Sequence, residues 1–342
     1  LVMASMMALS LTACGGNASS ATTAADTSAA DTKAEGTTAA APADKIGLAG
    51  SGKELIFTTG GDQGTYYGFG SVLAGQISDM TDTTVTAIVG KGSKGNIEAM
   101  DAGDAQLGFV QSDVMAYAYN GTNLFDGAKV DGFSTVAALY MEQVQIVTLN
   151  PDIKTVADLK GKTVSVGDSG SGVYFNALDC LGAYGLTIDD ITPTYQSFGD
   201  SVEAMQDGKI DAAFIVAGAP TTAVTSLAAT REVYLVELDD EHIDKLIEAS
   251  PYYSKYTIAK DAYGLDADAT TVAVGAVVVA RDDVDENDIY NVVAGIYDSI
   301  DTLGHDKKNE LDLDFAASVT AVPYHKGAAK YFAEKGLTVP TK

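Results

Sequence analysis

From Lys53 onward the apolar positions alternate between two spacings. Runs rich in β-branched and aromatic residues predict strands at Glu54 to Thr59, Thr84 to Val89 and Gln106 to Val110. Between them, repeats of three to four residues predict a helix over Thr65 to Ser78, with Tyr66, Phe69, Leu73 and Ile77 on one face. A second helix is predicted over Asn96 to Ala102, and a third opens at Ser112. Thr135 to Leu149 then reads as one β stretch, too long for one strand of one small sheet. A second strand–helix series follows: a short helix after Thr155, strands at Thr163 to Val166, Ala212 to Val216 and Val233 to Val236, and helices at Val173 to Gly182 and Thr221 to Ala229. Thr271 to Arg281 is another long β run, and the helix from Asp285 to Asp301 should pack back on the first series. Strands alternating with helices define an α/β fold. Two such series joined by two long extended runs predict two lobes with a ligand cleft between them.

The segment before Lys53 has a different character. Leu1 to Ala13 is apolar, and Leu11-Thr12-Ala13-Cys14 resembles the bacterial lipobox, which implies a leader over residues 1–13 and a diacylglycerol on the Cys14 sulfur. The basic start of such a leader is missing, which suggests a chain trimmed at its beginning. Residues 14–52 are mostly Ala, Thr, Ser, Gly and Asp, too poor in large apolar side chains to offset the entropy of ordering, and read as a tether. The expected organisation is therefore leader, tether, lobe I over 53–140, lobe II over 141–272, and a return to lobe I over 273–342. Localisation is expected to be extracytoplasmic, on the bacterial membrane through the lipid.

Charge narrows the partners. Forty-seven acidic against 21 basic residues leave a formal charge of −26, which disfavours nucleic acid. Arg231 and Arg281 are the only arginines, too few for a guanidinium clamp, so a bound anion must find other donors. Those donors are suggested by loops that run from a strand into a helix: Gly60-Gly61-Asp62-Gln63-Gly64-Thr65, Gly90-Lys91-Gly92-Ser93-Lys94-Gly95-Asn96, Gln111-Ser112-Asp113 and Gly167-Asp168-Ser169-Gly170-Ser171-Gly172. Free N–H groups and the positive end of the helix dipole suit a carboxylate or phosphate. No loop has the P-loop or dinucleotide spacing, so nucleotides are disfavoured.

Thr59 to Tyr67, Gly92 to Ile97, Phe109 to Asp113, Asp158 to Lys162 with Val166 to Gly172, and Pro323 to Ala328 together resemble the TAXI family of TRAP transporter solute receptors, with Lys326 where that family usually carries proline. The resemblance implies a periplasmic binding protein type II fold, a monomer that closes on a small carboxylate such as glutamate or glutamine and delivers it to a membrane permease. It also implies the site. Gly64, Thr65, Tyr66 and Tyr67 would line one wall with Ser93 and Asn96 beside them and Gln111 and Ser112 from the same lobe. Ser169, Gly170, Ser171 and Gly172 would face them, and Gly218 with Pro220 would close the floor. Adjacent helical residues point about 100° apart and seldom share one role, so core packing by one of Tyr66 and Tyr67 stands as the alternative to both lining the wall. Lys94 reads as a solvated lysine.

Enzyme chemistry finds little support. His242, His305 and His325 sit in polar surroundings and read as surface residues, metal-type spacings are absent, and no cofactor is expected. The acid pairs Asp189-Asp190 and Asp282-Asp283 read as helix starts. The alternatives are a receptor for an ATP-driven importer and, from another class, an enzyme on the same fold with a cysteine-linked cofactor. For the second, Cys180 is the available attachment point, but its apolar helical setting reads as a buried free thiol.

Overall fold

A computed structural model describes residues 45–342. Leu1 to Asp44, with Cys14 and most of the expected tether, lie outside the described residues. Its sheet runs in the order β2-β1-β3-β10-β4-β7-β5-β6, with β8 paired to β4 and β9 to β10. In lobe I, β1 (Glu54–Thr58) lies parallel to β2 (Thr84–Ile88) and β3 (Leu107–Gln111). In lobe II, β5 (Thr163–Ser165) lies parallel to β6 (Thr192–Thr194) and β7 (Ala212–Ala217). The short β8 (Tyr234–Leu235) and β9 (Ser254–Ile258) complete it.

Two long strands connect the halves. β4 (Phe133–Thr148) pairs with β10 (Ala269–Arg281) from Phe133 to Gln143, then with β7 from Gln143 to Thr148. β10 pairs with β9 through Ala269–Ala273 and with β3 through Ala276–Ala280. The β4–β10 register slips twice, between Ala276 and Val277 and between Val278 and Val279, which bends the pair. The long β runs therefore do serve both lobes, and residues 141–143 mark the crossing.

Helices cover both faces of each half. Lobe I carries α1 (Thr65–Met80), α2 (Ser93–Ala102) and α3 (Ser112–Asn120); lobe II carries α4 (Val173–Ala183), α5 (Phe198–Gln206), α6 (Thr222–Ala228) and α7 (Asp240–Ala249). After β10 the chain returns through α8 (Glu286–Tyr297), the one-turn α9 (Leu313–Ala316) and α10 (Lys326–Glu334). Strand period decides which core each residue joins. Val278 packs with Phe57, Leu73 and Tyr331 on one face, while Val277 packs with Ile97, Val110 and Val114 on the other. In lobe II, Ile146 and Phe214 meet Leu181, and their neighbours Val147 and Ile215 meet Val224. Burial on both faces explains why the strands read as near-continuous apolar runs.

Several expectations change. The tether reading gives way at its end, because Ile46 N–H donates to Met80 O (2.8 Å), Leu48 N–H to Asn291 Oδ1 (2.7 Å) and Ser51 N–H to Asp288 Oδ1 (3.2 Å). His325 is buried at the start of α10, where its Nδ1 accepts from Gly327 N–H, and His305 packs its ring 5.0 Å from Phe69. Neither is a simple surface histidine. Asp282 and Asp283 do not start a helix: they pair with Lys342 and Arg281, and Asp285 takes the cap of α8. Cys180 is a buried free thiol, and burial pushes its thiol well above the ordinary range, so it offers no exposed attachment point.

Candidate functional site

A cavity of about 90 Å³ lies between the lobes. A water needs roughly 10–15 Å³ in the same measure, so the space suits a molecule of several heavy atoms. Lobe I supplies Gly60 to Tyr66, Gly90 to Ser93 and Gln111; lobe II supplies Asp168, Ser171 to Val173, Ser197 to Gly199, and Val216 with Ala217; Glu142 comes from the crossing strand.

Helix starts dominate this lining, and their caps set them apart. α1, α2, α3 and α4 begin at Gly64, Gly92, Gln111 and Gly172 with no side chain accepting from the first turn. Four helices distant from the cavity, α7, α8, α9 and α10, are each capped by a side chain, from Asp239, Asp285, Asp312 and His325. α6 is a further uncapped helix and α5, at the cavity rim, is capped by Ser197. First-turn N–H groups without a side-chain cap remain available to an external acceptor, apart from Gly95 of α2, whose N–H is taken by Gly170 O.

The lobes touch directly across the cavity. Gly95 N–H donates to Gly170 O (2.9 Å), Thr65 Oγ1 to Gly218 O (2.9 Å) and Ala223 N–H to Gln63 O (3.2 Å). The arrangement is closed. Gly172 makes the closest approach, since a Cβ there would sit 1.7 Å from Gln111 Oε1.

A buried polar chain fixes the Gln111 side chain. Tyr253 OH donates to Asp179 Oδ2 (2.8 Å), so it accepts from Asn176 Nδ2 (2.8 Å), which also donates to Asp113 Oδ2 (3.0 Å). Asn176 must then present Oδ1 to Gln111 Nε2 (2.9 Å), which settles both amides. Gln111 Oε1 is left as a buried acceptor with no protein donor, as is Ser171 Oγ on the opposite lobe. Two polar atoms without protein partners, both on cavity residues, mark where a guest's donors and acceptors would meet the protein.

Of the residues expected from the sequence, Gly64, Thr65, Tyr66, Ser93, Gln111, Ser171 and Gly172 line the cavity. The others serve differently. Asn96 is fully buried and holds the loops together, donating to Thr59 O (2.5 Å) and Phe109 O (2.7 Å) and accepting from Thr58 Oγ1 (2.9 Å). Ser112 Oγ accepts from Gly275 N–H (3.0 Å), tying α3 to β10. Tyr67 is half-buried outside the lining, Ser169 and Pro220 are exposed, and Gly170 and Gly218 give carbonyls to interlobe contacts. The floor is instead formed by Glu142, Val216 and Ala217. Lys94 pairs with Glu98 on the surface, and Lys91 is the lysine at the cavity.

Sequence reasoning missed Glu142, Phe198 and Lys91. Tyr66, stacked 4.6 Å from Phe109, donates its OH to Glu142 Oε2 at 2.7 Å. Burial, reinforced by the charge of Asp113, pushes Glu142 up to about 8, and the Tyr66 hydroxyl, Lys307 and Gln111 oppose that only in part. Burial likewise raises Asp113 to about 7. Among the described residues no cluster of His, Cys, Asp or Glu is arranged to hold a metal.

The model of the family described as NMT1-like matches residues 57–336, nearly all of the two lobes. The chain belongs to the NMT1-like family. This NMT1-like protein is also 43% identical over 70 residues to an Escherichia coli (strain K12) protein named for aliphatic sulfonate binding; the match spans 20% of this chain and about a fifth (22%) of that relative's length. Among solved structures it is similar to a protein from Bordetella bronchiseptica RB50, at 16% identity with a TM-score of 0.50, over 84% of this chain and 82% of that one. It is also similar to the periplasmic aliphatic sulphonate binding protein of Escherichia coli, at 19% identity with a TM-score of 0.44, over 84% and 94%. The fold is that of type II periplasmic binding proteins.

Proposed function

We propose that this NMT1-like protein is an extracytoplasmic solute receptor that closes on a small organic anion and hands it to a membrane transporter. The observation that carries the reading is the convergence of α1, α2, α3 and α4, all starting without side-chain caps, on one interlobe cavity. A carboxylate or sulfonate there would receive N–H bonds and the positive ends of helix dipoles, with the Thr65, Ser93 and Ser171 hydroxyls nearby, in place of guanidinium groups. The site residues proposed are therefore Gly64, Thr65, Tyr66, Ser93, Gln111, Ser171 and Gly172. The lobes divide at the strand crossings, near residues 140 and 272, and residues 1–13 with Cys14 act as leader and lipid anchor.

The finer reading is a TAXI-type receptor feeding a TRAP permease, with glutamate or another small carboxylate as cargo. The ordered loop motifs support it. The 70-residue similarity to a protein named for sulfonate binding favours a second reading, the receptor of an ATP-driven importer. Neighbouring genes for a fused membrane permease would favour the TRAP reading. A thermal-shift screen of amino acids, dicarboxylates and alkanesulfonates tests the shared claim. An anion at about a hundredfold its dissociation constant should add about 2.7 kcal/mol of stability. If no anion raises the melting temperature, the proposed cargo class is wrong.

A further inference from the structure

Glu142 sits where an anion site ought not to have a carboxylate. It is 2% exposed, lies where β4 passes from one lobe to the other, and forms part of the cavity lining. Five groups face it from the surrounding elements: Tyr66 from α1, Gln111 from the end of β3, Asp113 from α3, Tyr140 from its own strand, and Lys307 from the turn before α9. Lys307 is committed elsewhere, donating to Ala219 O (2.9 Å) and pairing with Glu310. Among the described residues no lysine, arginine or histidine forms an ion pair with Glu142; Tyr66 OH donates to it, and the Gln111 side chain lies beside it. An ionised Glu142 and an anionic guest would then repel in a low-dielectric space, where the exposed Lys91 is the one cation of the lining and makes no ion pair with Glu142.

We propose that Glu142 is a specificity-determining residue that works as a neutral carboxyl, so that the cavity accepts an anion only while Glu142 carries a proton. This rests on the anion reading given above. Tyr66 donates to Oε2, which leaves Oε1 to hold the proton. The balance is simple: where Glu142 starts ionised, one proton moves from solvent to Oε1 for each anion captured, and it returns to solvent on release. The elevated affinity of this carboxyl for its proton, caused first by burial, agrees with that geometry.

The test is calorimetric titration of the full chain with L-glutamate, glutarate and ethanesulfonate, at pH 7 and pH 9, in two buffers of different ionisation enthalpy. At pH 9 close to one proton should be taken up per anion bound, and above pH 8 affinity should fall about tenfold per pH unit. Glu142→Gln should bind the same probes with no proton uptake at pH 9 and no fall in affinity between pH 8 and pH 9, a range above the titration of Asp113. L-glutamate bound without proton uptake, with glutarate rejected and L-glutamate binding lost in Glu142→Gln, would overturn the inference and assign Glu142 to an ammonium group. Carbon NMR titration of the ligand-free protein, with Glu142 assigned by its loss in Glu142→Gln, separates this from the anion reading. A midpoint near pH 8 with no probe bound removes the anion reading and leaves Glu142 neutral; a midpoint in the ordinary carboxylate range overturns the inference whatever binds.

Discussion

At the residue scale, side chains of one chemistry divide into those that meet the cavity and those that hold it in shape. Asn96, in the second turn of α2, and Gln111, at the end of β3, are both buried amides. Asn96 has every polar atom bonded within lobe I, whereas Gln111 keeps Oε1 unpartnered. Asn96→Ala would strand two carbonyls and a hydroxyl, and should cost roughly 2 to 4 kcal/mol in denaturant unfolding. Gly172→Ala should behave in the opposite way, because its Cβ meets Gln111 only when the lobes are together. Affinity for the bound anion should fall at least tenfold and small-angle scattering should report a larger radius, with unfolding free energy nearly unchanged; an unaltered affinity would refute the contact. The sequence could not separate these roles. Ser93, Ser112 and Ser171 are the same residue type, and the difference lies in which partner each side chain reaches in three dimensions. Glu142 was hidden for a related reason: with Gln143 and Gln145 it reads as one of three polar interruptions in an apolar strand, and only the strand crossing places it in a wall.

At the scale of elements, the helix start is the unit of function. The passages from strand to helix were legible at Gly60, Gly90, Gln111 and Gly167, all but the Gln111 one through a glycine-containing turn, because the spacing of apolar residues changes there. The long runs at Thr135 and Thr271 were legible as crossings because their length exceeds one small sheet. α5 went unread because its start, Ser197-Phe198-Gly199, has no glycine tract before it, although Ser197 is a recognisable cap. The missing caps at the cavity suggest a direct competition test. Gly64 has φ −104°, a conformation open to any residue, so Gly64→Asp can place its carboxylate on the first-turn N–H groups of α1. The variant should remain folded by circular dichroism, and its affinity for the anion should drop at least tenfold; retained affinity would mean that α1 does not contribute.

For the whole molecule, buried acids set the pH response. Glu142 and Asp113 hold protons more tightly folded than unfolded, where carboxyl groups titrate near 4. Their contribution to stability is fully present below that range and is lost as pH rises through about 7 for Asp113 and about 8 for Glu142. Unfolding free energy measured in urea should therefore decline between pH 5 and pH 8, by up to about 1.4 kcal/mol per pH unit for each proton involved. Glu142→Gln should flatten part of that slope, and a wild-type profile rising over the same interval would contradict the assignment. The closed contact of the lobes through Gly95 and Gly170, on two crossing strands bent by register slips, gives the frame within which a small anion could be enclosed. The most direct measurement is an equilibrium titration of the strongest-binding anion against wild type and a Thr65→Val/Ser171→Ala double variant. The account predicts a loss of at least tenfold in affinity, drawn from both lobes; an unchanged dissociation constant would contradict it.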